Sequence, residues 1–111
     1  MLYKFKSKVT GEVIMLQANG QRMLEIIGKH TAAEPSVKGI LLPEHMAQAL
    51  QALKDAVETE EAQHKEAMAQ AQAEKLPAPR FEPISLRQRS LPFMAMIRQC
   101  LQEDAAITWG V

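Results

Sequence analysis

Residues alternate between two types along Leu2–Val9, where Tyr3, Phe5, Ser7 and Val9 are interleaved with Lys4, Lys6 and Lys8. A period of two is typical of a strand with one buried face and one face in water. Thr10-Gly11 then predicts a two-residue turn. With that turn, Phe5 lies opposite Leu16, and the apolar residues of both strands share one face of a hairpin.

A short helix and a short strand are predicted after the hairpin. Asn19 is a suitable N-cap for a helix over Gly20–Ile27, and Gly28 is a suitable stop. His30–Val37 has the composition of a loop. Lys38–Leu42 is a brief apolar run, and it predicts a buried strand.

A second helix is predicted from Pro43, which suits the first helical position. Its apolar stripe recurs at helical spacing and consists of Met46, Leu50, Leu53 and Val57. After Val57 large apolar residues no longer recur at this spacing. Glu58–Lys75 is rich in Ala, Glu, Gln and Lys, which favour helix but offer little to bury. We expect either a helix extending into solvent or a frayed linker there, ended by Pro77 and Pro79.

The last thirty-one residues predict a strand, a helix and a strand. Ile84–Arg89 alternates again and predicts a strand with a basic solvent face. Ser90 is a candidate cap for a helix over Phe93–Gln102, and Ala106–Trp109 predicts the last strand. Together these elements predict one α+β domain over residues 1–111, with a mostly antiparallel sheet of about five strands and three helices packed on it.

Composition narrows the classes of function. Hydrophobic residues make up 47% of the 111 residues and charged residues 23%, which is usual for a soluble globular domain. Thirteen basic and thirteen acidic residues cancel, so a nucleic-acid partner or a membrane surface is not favoured. The single Cys100 excludes an intramolecular disulfide, and no secretory signal is evident. We therefore expect a cytoplasmic protein.

A basic face is the first candidate for chemistry. If the first strand and Ile84–Arg89 are neighbours, they form a speculative anion site of five cations: Lys4, Lys6, Lys8, Arg87 and Arg89. Arginine forks in particular suit carboxylates and phosphates. The alternative is that these residues form the solvated sides of half-buried strands, where lysines also discourage edge-to-edge pairing. Charge on a wet strand face is the default pattern, so this alternative is favoured.

Trp109 has two interpretations. It is either a core aromatic on the last strand or a partly exposed anchor at a protein interface, where Trp is enriched. The core interpretation is favoured, because alternation puts Ile107 and Trp109 on one face.

The remaining candidates are weaker. Glu60, Glu61 and His64 lie one helical turn apart, but no second His or Cys stands at ligand spacing, so we predict no metal site. Cys100 lies on the apolar side of its helix, where a thiol is inert. We predict no catalytic residues and no cofactor.

Six segments resemble a known family: Tyr3–Lys8, Gly11–Leu16, Leu24–Lys29, Lys38–Glu44, Ser85–Arg89 and Thr108–Val111. Over the whole chain the sequence is similar to the bacterial family called domain of unknown function 1840. The chief departure is residues 58–83, where such proteins are expected to vary in length and composition. The resemblance implies a small cytoplasmic bacterial protein and implies no activity.

Two classes of function follow from these observations. The favoured class is a non-enzymatic interaction or regulatory module that forms a homo-oligomer or binds another protein, because small α+β domains with exposed strand edges often associate. The alternative is a binder of a small anionic ligand through the basic face, with or without catalysis. An enzyme is less favoured, because the sequence has no phosphate loop, nucleophile elbow or pair of zinc half-sites.

Overall fold

The computed structural model describes residues 2–30, 33 and 37–110. In chain order the elements are β1 (Leu2–Lys6), β2 (Val13–Leu16), α1 (Gln17–Ile26), β3 (Gly39–Leu41), α2 (Pro43–Ala73), α3 (Leu86–Gln102) and β4 (Ile107–Trp109). The strands pair antiparallel in the order β2-β1-β4-β3. The predicted α+β fold is confirmed, with four strands in the described part of the chain instead of about five.

A single core lies between the sheet and the helices. Phe5 of β1 is at its centre, with its ring 4.6 Å from the ring of Phe93 and 6.0 Å from that of Trp109. From α2 the core receives the predicted stripe of Met46, Leu50, Leu53 and Val57, all of them buried. Because the helices pack on one face of the sheet, the other face is left open.

The predicted hairpin register is wrong. In the structure Leu2 pairs with Leu16 and Phe5 with Val13, so that Phe5 does not lie opposite Leu16. The predicted two-residue turn requires a positive φ at its glycine, and Gly11 does not have one. The connection therefore runs over residues 7–12. An odd shift in register exchanges the two faces of a strand, so Met15 is buried and Ile14 and Leu16 point outward.

α1 starts three residues earlier than predicted. It begins at Gln17, immediately after β2, and the N-cap Leu16 provides no side-chain hydrogen bond. The predicted cap, Asn19, lies inside the first turn. The stop at Gly28 is confirmed: its φ is +80°, a conformation that glycine adopts without strain. Of the predicted loop over His30–Val37, residues 31, 32 and 34–36 lie outside the described residues.

The strand predicted over Ile84–Arg89 is wrong, because α3 already begins at Leu86. Ser85 caps it in a capping box: its side chain accepts a hydrogen bond from the backbone N–H of Gln88, whose side chain accepts one from Ser85. Pro92 lies inside the helix on its exposed side. Six apolar residues of α3 are buried in the core, namely Leu86, Phe93, Met94, Met96, Ile97 and Cys100.

The second half of α2 is an ordered arm. The helix continues to Ala73, and its 31 residues span about 46 Å at 1.5 Å per residue. The chain then returns along the helix, where the ring of Phe81 stacks on His64 with 3.8 Å between centroids. At the base of the arm the Leu86 N–H donates to Oε2 of Glu60 at 2.9 Å. The helical alternative for Glu58–Lys75 is therefore the one observed.

Candidate interaction surface

Three apolar side chains form an exposed patch on the open face of the sheet. Leu2 and Leu16 are direct cross-strand partners, and Ile14 lies two residues further along β2 on the same face. All three are at least half exposed: Leu2 is 50% exposed, Ile14 54% and Leu16 64%. We call Leu2, Ile14 and Leu16 the apolar corner. Large apolar side chains clustered in this way mark an interaction site more often than the same side chains scattered singly.

The apolar corner borders an unpaired strand edge. β2 is the outermost strand of the sheet, so one side of its backbone has no partner strand among the residues that the structure describes. A groove of about 550 Å³ runs between this edge and α3, and all five residues 12–16 line it. Successive side chains of a strand point to opposite faces, so the side chains of one face alone cannot account for all five residues. The groove therefore follows the backbone edge of β2. Ile84, itself 48% exposed, and Pro92 add apolar surface to the far wall.

The structure does not bring the five cations of the predicted basic face together. Lys4 points away from the helices, on the outer face of the sheet, and Lys6 lies opposite Thr108 of β4. With Lys8, Lys6 lines a shallow depression beside β4. The two arginines are instead on α3, which packs on the inner face of the sheet. The neighbouring-strand arrangement needed for the predicted anion site is therefore absent.

Both arginines face carboxylates. Arg87 donates from Nε and Nη2 to the two carboxylate oxygens of Glu61, at 3.0 and 2.7 Å. Arg89 lies with Nη2 3.6 Å from Oε2 of Glu82. Its Nε is buried and hydrogen-bonds to no acceptor in the described part of the chain. Arg87 thus forms a bidentate ion pair with Glu61, whereas Nε of Arg89 is an unused donor.

The Arg87–Glu61 pair shifts the pKa of both groups. Hydrogen bonds from Arg87, together with its charge, lower the pKa of Glu61, and the same contacts raise the pKa of Arg87. Because folding lowers the pKa of this carboxyl, the pair stabilises the fold at neutral pH and loses that contribution as acid protonates Glu61. Both side chains are about half exposed, so solvent screening keeps the contribution small.

Trp109 and Cys100 belong to the core. Trp109 is only 1% exposed, so its indole is not available as a surface anchor in this chain. Cys100 is completely buried, and its thiol donates to Oγ of Ser7 at 3.2 Å. Neither residue belongs to the apolar corner.

The residues considered for a metal site have other partners. Glu60 accepts the Leu86 N–H, Glu61 binds Arg87, and His64 stacks on Phe81. Nε2 of His64 also lies 3.8 Å from Oε1 of Glu60. Within the described residues, no group of three His, Cys, Asp or Glu side chains is arranged to hold a metal ion.

The fold and the exposed edge define a small α+β domain with an apolar, unpaired strand at one side of its sheet. A comparison with protein families matches residues 1–109 to the family described as Domain of unknown function (DUF1840), and the chain belongs to that family. Neither the comparison with curated proteins nor that with solved structures gave a match. Among the described residues, no helix is both long and apolar enough to cross a membrane.

Proposed function

We propose that this protein is a non-enzymatic interaction module that associates with a second copy of itself through the edge of β2. The observation that supports the proposal most directly is the coincidence of an unpaired edge with exposed Ile14 and Leu16. Natural proteins usually protect such an edge with charge or proline, and Val13–Leu16 contains neither.

A second copy fits this edge for geometric reasons. A strand can pair antiparallel with its own copy across a two-fold axis, because the hydrogen-bonding pattern of an antiparallel ladder is symmetric. That pairing would join two four-stranded sheets into one. It would also bring the two apolar corners next to each other on one face and remove part of Leu16 from water. The opposite edge, β3, has only three residues and runs directly into α2 at Pro43, so it offers a shorter edge for the same pairing.

The test is the mass of the protein in solution, measured by light scattering at several concentrations and two salt strengths. We expect a dimer whose mass does not depend on salt, because the contacts are main-chain hydrogen bonds and apolar surface and not exposed ion pairs. Leu16→Lys should convert the dimer to a monomer, because it places a charge on the apolar corner, within the proposed interface.

The matched control is Ile40→Lys. Ile40 is also on the outer side of an edge strand and is 44% exposed, but it lies on β3 at the other side of the sheet. The Ile40→Lys variant should remain dimeric, and circular dichroism should show that both variants are folded. A wild-type monomer at every concentration would refute self-association. Equal dissociation of the two variants would refute the assignment to β2.

A further inference from the structure

A second cleft lies where α1, α2 and α3 meet. It has a volume of about 280 Å³ and is lined by Ala18, Asn19, Arg22, Glu60, Glu82, Leu86 and Arg89. That volume is at the small end of the range for ligand pockets, which suits a small polar group better than a large apolar molecule.

Two arginines contribute to this cleft from different helices. Arg89 of α3 is held with its Nε buried and without an acceptor. A buried charged donor without a partner is costly, so an acceptor supplied by a ligand would be favourable. Arg22 of α1 is exposed and forms no ion pair with a carboxylate in the described part of the chain. The cleft thus holds one unused donor and one uncommitted positive charge.

The start of α1 adds a third set of donors. Ala18 and Asn19 are in its first turn, where backbone N–H groups have no acceptor within the helix. Leu16 provides no side-chain cap, and the first turn contains no acidic residue. Arg22 follows one turn later on the same side of the helix. The positive end of the helix dipole and both arginines therefore lie along one cleft.

Two carboxylates line the same cleft, and each has a partner within the protein. Oε2 of Glu60 accepts the Leu86 N–H, and its Oε1 faces His64. Glu82 is 78% exposed, and its Oε2 reaches Arg89 only at 3.6 Å, through Nη2 and not through Nε. The contacts of Glu60 therefore hold its carboxylate in place. The Glu82 carboxylate is at the surface, where it would compete with a ligand anion for Arg89.

We propose that this cleft binds the phosphate group of a small phosphorylated molecule. A phosphate has acceptor oxygens for the guanidinium groups of Arg22 and Arg89 and for the first-turn N–H groups of α1 at once. Its dianionic charge distinguishes it from a carboxylate. The cleft adjoins the groove along β2 through Asn19 and Arg89. This inference does not depend on self-association.

The experiment is a titration of the full chain with inorganic phosphate at constant ionic strength, followed by the amide NMR signals of Ala18 and Asn19 and by the Nε–H signal of Arg89. We expect saturable shifts of all three signals, with sulfate acting similarly. Arg22→Gln should raise the dissociation constant for phosphate about tenfold, in line with the loss of a charge-assisted hydrogen bond. Glu82→Gln should lower it, because it removes the competing carboxylate.

The matched control is Arg98→Gln. Arg98 is an exposed arginine on the same helix as Arg89, but it lines other clefts, so phosphate affinity should not change. The absence of saturable shifts at Ala18 and Asn19 would overturn the proposal, as would an equal loss of affinity in Arg98→Gln. Acetate binding as tightly as phosphate would assign the cleft to carboxylates instead. Since Arg22 and Glu82 are exposed, their variants test the site without disturbing the core.

Discussion

At the scale of single residues, a glycine of the sheet packs closely against the buried tryptophan. A Cβ at Gly39 would lie 2.6 Å from Cζ2 of Trp109, nearer than side-chain carbons approach in folded proteins. The indole is 1% exposed and has little room to move. The absence of a side chain at Gly39 is thus what allows β3 and β4 to pair over Trp109.

Gly39→Ala should therefore destabilise the fold by about 1–3 kcal/mol, the usual cost of forcing an extra methyl into a packed region. Urea unfolding followed by Trp fluorescence measures this change. The control is Gly11→Ala, because a Cβ there meets no atom within 4 Å and the backbone is not left-handed. Equal stability of Gly39→Ala and wild type would show that the indole yields, contrary to this account.

The burial pattern of β1 could be predicted from the sequence, but its register with β2 could not. The alternation in β1 correctly predicted that Tyr3 and Phe5 are buried, because a period of two is a local property. It did not predict the partner strand, because register depends on a turn whose backbone conformation is not written in Thr10-Gly11. A shift of three residues in the register exposed Ile14 and Leu16, and with them the candidate surface.

At the scale of elements, the helices were predicted best where a long apolar stripe was present. The start of α2 at Pro43 and the end of its stripe at Val57 were both visible in the sequence, and beyond Val57 only Ala71 is buried. α3 was shortened in the prediction because Ile84 and Leu86 alternate with Ser85 and Arg87, as in a strand, and because Pro92 resembles a helix start. The capping box of Ser85 and Gln88 was the available signal that the helix begins earlier. The Arg22–Arg89 cleft had no local signal, because it joins residues 67 positions apart.

The arm formed by the second half of α2 should depend on its contact with the returning chain. Phe81→Ala removes the ring that stacks on His64, so we expect faster amide hydrogen exchange over residues 64–76. Residues 43–57 should keep their protection, because Met46, Leu50 and Leu53 are buried in the core. The control is Leu91→Ala, which removes an exposed apolar side chain from α3. Unchanged exchange in Phe81→Ala would mean that the helix holds the arm without the returning chain.

At the scale of the whole molecule, the arm gives the protein an elongated shape. The extents are 52 × 28 × 25 Å and the radius of gyration is 16.0 Å, whereas a compact domain of this length has about 13 Å. The difference arises because α2 contributes to the core only as far as Val57, while its second half extends beyond the core. The shape of the monomer is therefore a direct measure of whether the arm is ordered.

Small-angle X-ray scattering of the Leu16→Lys variant, which should remove the proposed self-association, tests this shape. We expect a radius of gyration close to 16 Å and a scattering profile typical of a rigid, elongated particle. Because Leu16 lies on the sheet and the arm lies beyond Val57, the substitution should leave the arm unchanged. A value near 13 Å would mean that the arm folds back on the domain. A profile typical of a disordered segment would mean that the contacts at Glu60, Glu61 and Phe81 are too weak to hold it.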